Sequence, residues 1–265
     1  MKTENRQGIS WKDSALEFAE ELLFPTNIYC ICCGSMIDRS RPYGLCDACV
    51  KKFHWIGEKT CEKCGKALPE TYGGRECYDC MAHEHSFHKG FSCLTYGLYE
   101  RQVILDYKYN GKGYLGKKLG DILFDRISCE NLQFDVIIPV PIYKRREKQR
   151  GYNQTMIMAK RLGRRCGAAA TGSWLIRRKE TPKLRSLNPV EREAVLEDAF
   201  GLTETGKLCV PGKRILLIDD IYTTGATVDA CSRVLMGGGA EAVYVLTLAS
   251  GGNRKPKELQ QECLQ

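Results

Sequence analysis

Two adjacent carboxylates, Asp219 and Asp220, precede a run of small and hydroxyl-bearing residues, Thr223, Thr224, Gly225, Ala226 and Thr227. Ionised carboxylates accept hydrogen bonds from hydroxyls or hold a cation. Threonine hydroxyls and closely approaching backbone N–H groups donate to phosphate, and a glycine among them allows the approach. The acidic pair would repel phosphate, so hydroxyls or a bound cation are its expected targets. A sugar phosphate satisfies both halves, with its phosphate in the loop and its ribose hydroxyls on Asp219 and Asp220. No Gly-Lys-Ser/Thr follows, so the P-loop pattern is absent. For the acidic pair taken alone, a generic strand-end ligand site or a carboxylate cluster like that of receiver domains is the blander reading.

Cysteines form the second constellation. Cys30, Cys33, Cys46 and Cys49 recur as Cys61, Cys64, Cys77 and Cys80, each shifted by 31 positions, and each unit reads C-x2-C-x12-C-x2-C. A C-x2-C knuckle brings two thiolates onto one ion, and two knuckles complete a tetrahedral zinc site. Four thiolates close the coordination sphere to water, so two structural Zn2+ ions are expected, with docking of nucleic acid or protein by the ribbons left open. A module this small has little core, and metal should supply much of its folding energy. Pairing within each repeat is favoured over pairing between repeats, while Cys32 competes with Cys33 as a ligand. His83, His85 and His88 read as a solvated linker, with ligation as the alternative.

The elements that must position these groups follow from pattern. Arg214 to Ile218 is an apolar, β-branched-rich run suited to a strand buried on both faces, with the acidic pair where it would end. From Thr227, residues Val228, Cys231, Val234 and Leu235 recur at helical spacing until Gly237-Gly238-Gly239 stops them. The phosphate-suited loop therefore lies at a helix N-terminus, where the dipole favours an anion. Asp135 to Pro141 predicts another strand, ended by two prolines, and Ala242 to Ala249 a third; helix-linked strands imply a parallel sheet with ligands at one edge. Phe91 to Tyr99 reads as a strand and Glu100 to Tyr109 as a helix, with Lys108 near its end before Gly111 and Gly113 break the chain. A helix through about Arg165 buries Met156, Ala159 and Leu162, whereas Ala168 to Phe200 is irregular and Leu202 to Pro211 reads as a loop.

The segment LLIDDIYTTGAT resembles the phosphoribosyl-pyrophosphate (PRPP) signature of type I phosphoribosyltransferases. The Cys-rich region, Lys108-Tyr109-Asn110-Gly111, Pro139-Val140-Pro141 and Arg150-Gly151-Tyr152-Asn153-Gln154 narrow the resemblance to the ComF family of late-competence proteins, from residue 30 to about 249. It implies an α/β fold: a type I phosphoribosyltransferase-like parallel sheet flanked by helices, preceded by a small double zinc ribbon with four cysteines to each site. The expected division is an N-terminal helix at 1–29, ribbons at 30–90, the phosphoribosyltransferase-like domain at 91–252 and a tail at 253–265. Asp219 and Asp220 would hold the ribose and residues 223 to 227 the 5′-phosphate. The loop after Pro139, including Val140, Lys144 and Arg150, would hold pyrophosphate with Mg2+, and Lys108 would lie near the nucleotide. Lys144, Arg145, Arg146, Lys148 and Arg150 against Glu147 suit that leaving group, though a solvated basic loop or a nucleic-acid patch also fits them.

Thr181-Pro182, Leu187, Arg192 and Ala199-Phe200 resemble a flexible segment that would cover substrate. Leu184 and Val195 stand where the family usually carries Gln and Asn, which counts against efficient turnover. The resemblance implies phosphoribosyl transfer, with the acceptor unread, and a part in DNA uptake. The alternative is a non-catalytic nucleotide sensor or an adaptor docking single-stranded DNA or a competence ATPase or helicase. Aromatics Phe53, Trp55, Tyr72 and Tyr78 would then stack on bases, or else form the small module's core.

Composition bounds these readings. The 265 residues suffice for a substantial core plus a small module, and 27% charged with 43% hydrophobic residues argues against wholesale disorder. A formal charge of +8 favours anionic partners without choosing among them. No signal-peptide pattern or membrane-length apolar run occurs, and the amphipathic stretch Ser14 to Phe24 lacks a basic face, so a cytoplasmic protein without membrane insertion is expected. In that compartment 15 cysteines point to metal rather than disulfides.

Overall fold

The computed structural model describes residues 28–181, 191 and 195–253. The expected helix at 14–24, Pro182, Leu184, Leu187, Arg192 and the tail beyond Asn253 lie outside them. The chain forms two compact units that part between Val50 and Lys51, so the division falls between the two cysteine repeats.

The first unit carries a 3-10 turn, Pro42–Gly44, and one helical turn, α1 (Asp47–Val50). The second begins with the other cysteine repeat, ending in α2 (Tyr78–Ala82), and continues into an α/β layer structure. Its strands are β1 (Lys89–Thr95), β2 (Val136–Pro139), β3 (Ala169–Ala170), β6 (Arg214–Tyr222) and β7 (Ala242–Ser250). They form one sheet in the order β1-β7-β6-β2-β3, and every neighbouring pair is parallel. Between β1 and β2 run α3 (Leu98–Tyr109) and α4 (Leu115–Ser128); α5 (Lys144–Arg150) and α6 (Gln154–Cys166) lead from β2 to β3. A separate antiparallel pair, β4 (Leu175–Arg177) and β5 (Phe200–Leu202), is followed by α7 (Glu204–Cys209), and α8 (Ala226–Gly237) joins β6 to β7. No helix among the described residues is long and apolar enough to cross a membrane.

The apolar run that predicted β6 is buried as a two-sided strand requires: Ile215, Leu216, Leu217 and Ile218 are all 0% exposed. Each such side chain contributes about 1.5–3 kcal/mol on burial. The strand does not stop at Ile218, however. Pairing with β7 continues through Asp219↔Thr247 to Tyr222↔Ser250, which holds both carboxylates inside the ladder rather than on a loop after it.

Three segments differ from their sequence reading. Lys144–Arg150 is helical, with Tyr143 extended before it and Gly151 at φ 81 after it; none of its residues is buried, so no apolar period could announce it. Glu204–Cys209 is also a helix, nucleated by the Thr203 hydroxyl accepting from the Gly206 N–H at 2.9 Å. His85 is 7% exposed, not solvated. Helix α4, which no reading anticipated, buries Leu115, Leu119, Ile122, Leu123 and Ile127, and its Asp121 accepts from Arg161 Nε of α6 at 2.8 Å.

Candidate functional site

Adjacent strand residues point to opposite faces, so Asp219 and Asp220 serve two different surroundings. On one side Lys108 Nζ lies 2.7 Å from Asp220 Oδ2, each side chain 15% exposed. The lysine that reads as a helix end in sequence is thus an ion-pair partner of the acidic pair. Its position in the last turn of α3 is fixed from below: the Lys108 carbonyl accepts from Gln154 Nε2 at 3.4 Å, the Tyr107 carbonyl from the Tyr152 hydroxyl at 2.7 Å, and the Tyr107 hydroxyl donates to the Gln154 carbonyl at 2.7 Å. Arg150 donates to Gln154 Oε1 at 3.0 Å and lies over the Tyr109 ring, 4.9 Å from its centroid. Two segments more than 40 residues apart in sequence are therefore one hydrogen-bonded unit.

On the other side, Asp219 Oδ1 accepts the Asp220 N–H at 2.8 Å. Burial, with the neighbouring Asp220 charge adding to it, pushes the Asp219 carboxyl up to about 7, against the pull of Lys108 and Arg177. Arg177, on β4, escaped the sequence reading because it arrives from a segment without periodicity. Its guanidinium donates to the Thr181 hydroxyl, and the Thr181 carbonyl accepts from Arg146 Nη2 at 2.8 Å. Burial, the Arg146 charge adding to it, lowers the Arg177 pKa, and its buried Nε has no hydrogen-bond partner among the described residues.

Asp219 and residues 223–227 line one depression. Gly225 adopts φ +87, and a Cβ there would stand 2.3 Å from the Tyr222 hydroxyl, so the turn into α8 requires glycine twice over. The Thr224 hydroxyl is buried without a partner among the described residues, an orphaned donor suited to an anion. Other expected site residues are placed differently. Val140 is buried, its N–H donating to the Ile218 carbonyl at 2.8 Å and its carbonyl accepting from Thr155 Oγ1 at 3.0 Å, so its backbone continues the strand pairing. Lys144 is exposed on α5, while Arg150 braces α3 as above.

The cysteines gather as two separate sets, Cys30/Cys33/Cys46/Cys49 and Cys61/Cys64/Cys77/Cys80, with ligand atoms within 4.8 Å of one another in each. Pairing is thus within repeats, and Cys32 belongs to neither set. For Zn–S bonds of ~2.3 Å a tetrahedron has S···S edges of about 3.8 Å. Cys33 and Cys46 sulfurs lie 3.8 Å apart and those of Cys64 and Cys77 3.6 Å, so four thiolates of this spacing fit a structural Zn2+ at each site.

Comparison with known proteins supplies the family. The double zinc ribbon domain matches residues 19–81. Competence protein F of Haemophilus influenzae is 29% identical over 231 residues, covering 84% of this chain and 97% of that protein. Competence protein ComFC of Streptococcus pneumoniae is 30% identical over 207 residues, covering 77% of this chain and 86% of that one. The chain belongs to the ComF family. Among solved structures, glutamine phosphoribosylpyrophosphate amidotransferase from B. subtilis, complexed with ADP and GMP, is similar with a TM-score of 0.37 and 19% identity, over 54% of this chain and 30% of that one. A similarity of that score carries no weight beside the ComF relatives. At the end of β6, Lys108 pairs with Asp220, the Arg177 charge acts on Asp219, and Arg146 reaches Arg177 through Thr181.

Proposed function

We propose that this ComF protein binds PRPP, or a nucleotide carrying the same ribose 5-phosphate, at the end of β6, and that it does so in the cytoplasm as part of DNA uptake. The observation that carries this reading is the Lys108–Asp220 ion pair beside a loop whose Thr224 hydroxyl is buried and unpartnered. In this reading the N–H groups and hydroxyls of residues 223–227 take the 5′-phosphate. Asp219 and Asp220 accept the ribose hydroxyls, and the ion pair with Lys108 aims Asp220. Arg146 and Arg177, linked through Thr181, face the leaving pyrophosphate together with the basic face of α5. The carboxylate oxygens of Asp219 fit a hard cation, and Mg2+ carried by the pyrophosphate would neutralise charge as that group departs. Acidic groups at the ribose then stabilise positive charge developing at C1, the requirement for phosphoribosyl transfer.

The relatives named for competence support the place in DNA uptake. Calorimetric titration of the zinc-loaded protein with PRPP and Mg2+ tests the site, beside an Asp219→Asn/Asp220→Asn double variant. Binding by the wild type and its loss in the variant is expected; no binding by the wild type overturns the reading.

A docking role is favoured by one further observation. On the first cysteine unit Tyr29 is 59% and Met36 75% exposed, and the two residues pair across a β-bridge. An exposed aromatic beside a flexible apolar side chain suits stacking by single-stranded DNA. Binding of an oligonucleotide that falls steeply with salt and is lost in Tyr29→Ala supports this role; salt-independent or absent binding refutes it.

A further inference from the structure

The second cysteine set is not a remote accessory of the phosphate loop. Cys61, Cys64, Cys77 and Cys80 are at most 8% exposed and share one apolar cluster with Phe87, Tyr222, Val228 and Cys231. Tyr222 is the residue immediately before the loop, and its ring occupies the space that a Cβ at Gly225 would need. Its position is set from the ribbon side. Lys66, 1% exposed, places its ammonium 5.4 Å from the Tyr222 ring centroid, and His85 Nε2 lies 3.3 Å from the Tyr222 hydroxyl.

Lys66 is also part of the knuckles themselves. Its carbonyl accepts the Cys61 N–H at 2.8 Å, and its ammonium is ion-paired with Asp79, which lies between Cys77 and Cys80. One residue therefore ties the first knuckle through its backbone, and the second knuckle and the floor of the loop through its side chain. The linker beyond the knuckles adds a parallel tie, since Asp229 of α8 accepts the Ser86 N–H at 2.5 Å. Four thiolates around Zn2+ would close one tetrahedral centre across both knuckles, the same two that Lys66 and Asp79 join. Besides the Lys66–Asp79 pair, the two knuckles are joined by the Glu62 N–H donating to the Arg75 carbonyl at 3.0 Å and by the exposed Arg75–Glu62 pair, and the ion would add four Zn–S bonds that fix their spacing.

We propose that Lys66 and Tyr222 are positioning residues through which zinc at Cys61, Cys64, Cys77 and Cys80 holds the phosphate loop in its binding geometry, so that metal and sugar phosphate tighten one another. The inference rests on the assignment of residues 223–227 to phosphate. Coupling between two sites is reciprocal in binding free energy, and typical couplings are about 5–150-fold. Two measurements on the full chain test it with ribose 5-phosphate as the probe. In a Cys46→Ser/Cys49→Ser protein, whose zinc is confined to the second set, competition against a chromogenic chelator should give about tenfold tighter zinc when ribose 5-phosphate is saturating. In zinc-loaded Lys66→Met, ribose 5-phosphate affinity should fall about tenfold while that of Mg2+-pyrophosphate is unchanged. If Lys66→Met does not fold, the zinc competition, made with Lys66 intact, decides alone. Binding of ribose 5-phosphate that leaves zinc affinity unmoved overturns the coupling and spares the phosphate loop. No binding of ribose 5-phosphate by the wild type overturns the loop assignment and the coupling with it.

Discussion

At the scale of the residue, the acidic pair divides its work by environment. Asp220 is matched with Lys108 at 2.7 Å, whereas Asp219 is held up to about 7 by burial and by Asp220. The folded chain thus binds a proton that the unfolded chain, with an ordinary carboxyl near ~4, has released. Asp219 therefore costs no stability below about pH 4, and stability falls as pH rises from there to about 7, where the folded carboxyl ionises too. Asp219→Asn should be flat across that window and, at pH 8, more stable than wild type by about 2 kcal/mol once partial exposure is discounted, as read by urea unfolding. Affinity for PRPP with Mg2+ should rise through pH 7 in the wild type and stay low and flat in the variant, because ribose hydroxyls need the ionised acceptor. Lys108→Met leaves Asp220 as a poorly hydrated, unpaired charge and should cost about 2–4 kcal/mol. Adding Asp220→Asn should recover part of that loss, a recovery that a double-mutant cycle measures.

At the scale of the element, two glycines fix where segments meet. Gly225→Ala would place a methyl 2.3 Å from the Tyr222 hydroxyl at a φ of +87. The strain is of the order of 1–3 kcal/mol, and the loop can relieve it only by moving, so phosphate affinity should fall with stability. Gly65, in the second ribbon at φ +73, faces backbone: a Cβ would stand 2.5 Å from the Gly90 carbonyl oxygen and 2.7 Å from Phe91 Cα of β1. Neither atom can swing aside. Gly65→Ala should therefore lower the melting temperature of the zinc-loaded protein by about 4 °C or more, as seen by calorimetry.

At the scale of the molecule, the chain parts between its two cysteine repeats, and this predicts unequal roles for two sites of identical spacing. The first set lies in its own compact unit and includes the exposed Cys33; all four members of the second are buried in the larger unit's core cluster. Cys30→Ser/Cys33→Ser should remove one zinc per chain and leave the main thermal transition in place. Cys77→Ser/Cys80→Ser should remove the other and lower or abolish that transition. Metal analysis beside calorimetry reads both. Equal effects of the two pairs would refute the division.

Much of this protein is legible in its sequence, because the signals concerned are local or periodic. The 31-residue repeat of C-x2-C knuckles gives both thiolate sets and their pairing, since chelation links neighbours in the chain. The Ile215–Ile218 run, the acidic pair and the small-residue turn give a buried strand leading into a helix N-terminus, because each step is a backbone preference of its own residues. Tertiary structure alone decided the rest. A Lys near a helix end carries no mark of its partner, and only the packing of α3 against the Tyr152–Gln154 segment brings Lys108 to Asp220. Arg177 and His85 are single residues in segments without period, and their roles exist only through contacts made across the fold. The two cysteine repeats look alike in sequence because coordination is local. They differ in the molecule because one of them buries its sulfurs against Tyr222 and the sheet, a choice made by long-range packing that no spacing records.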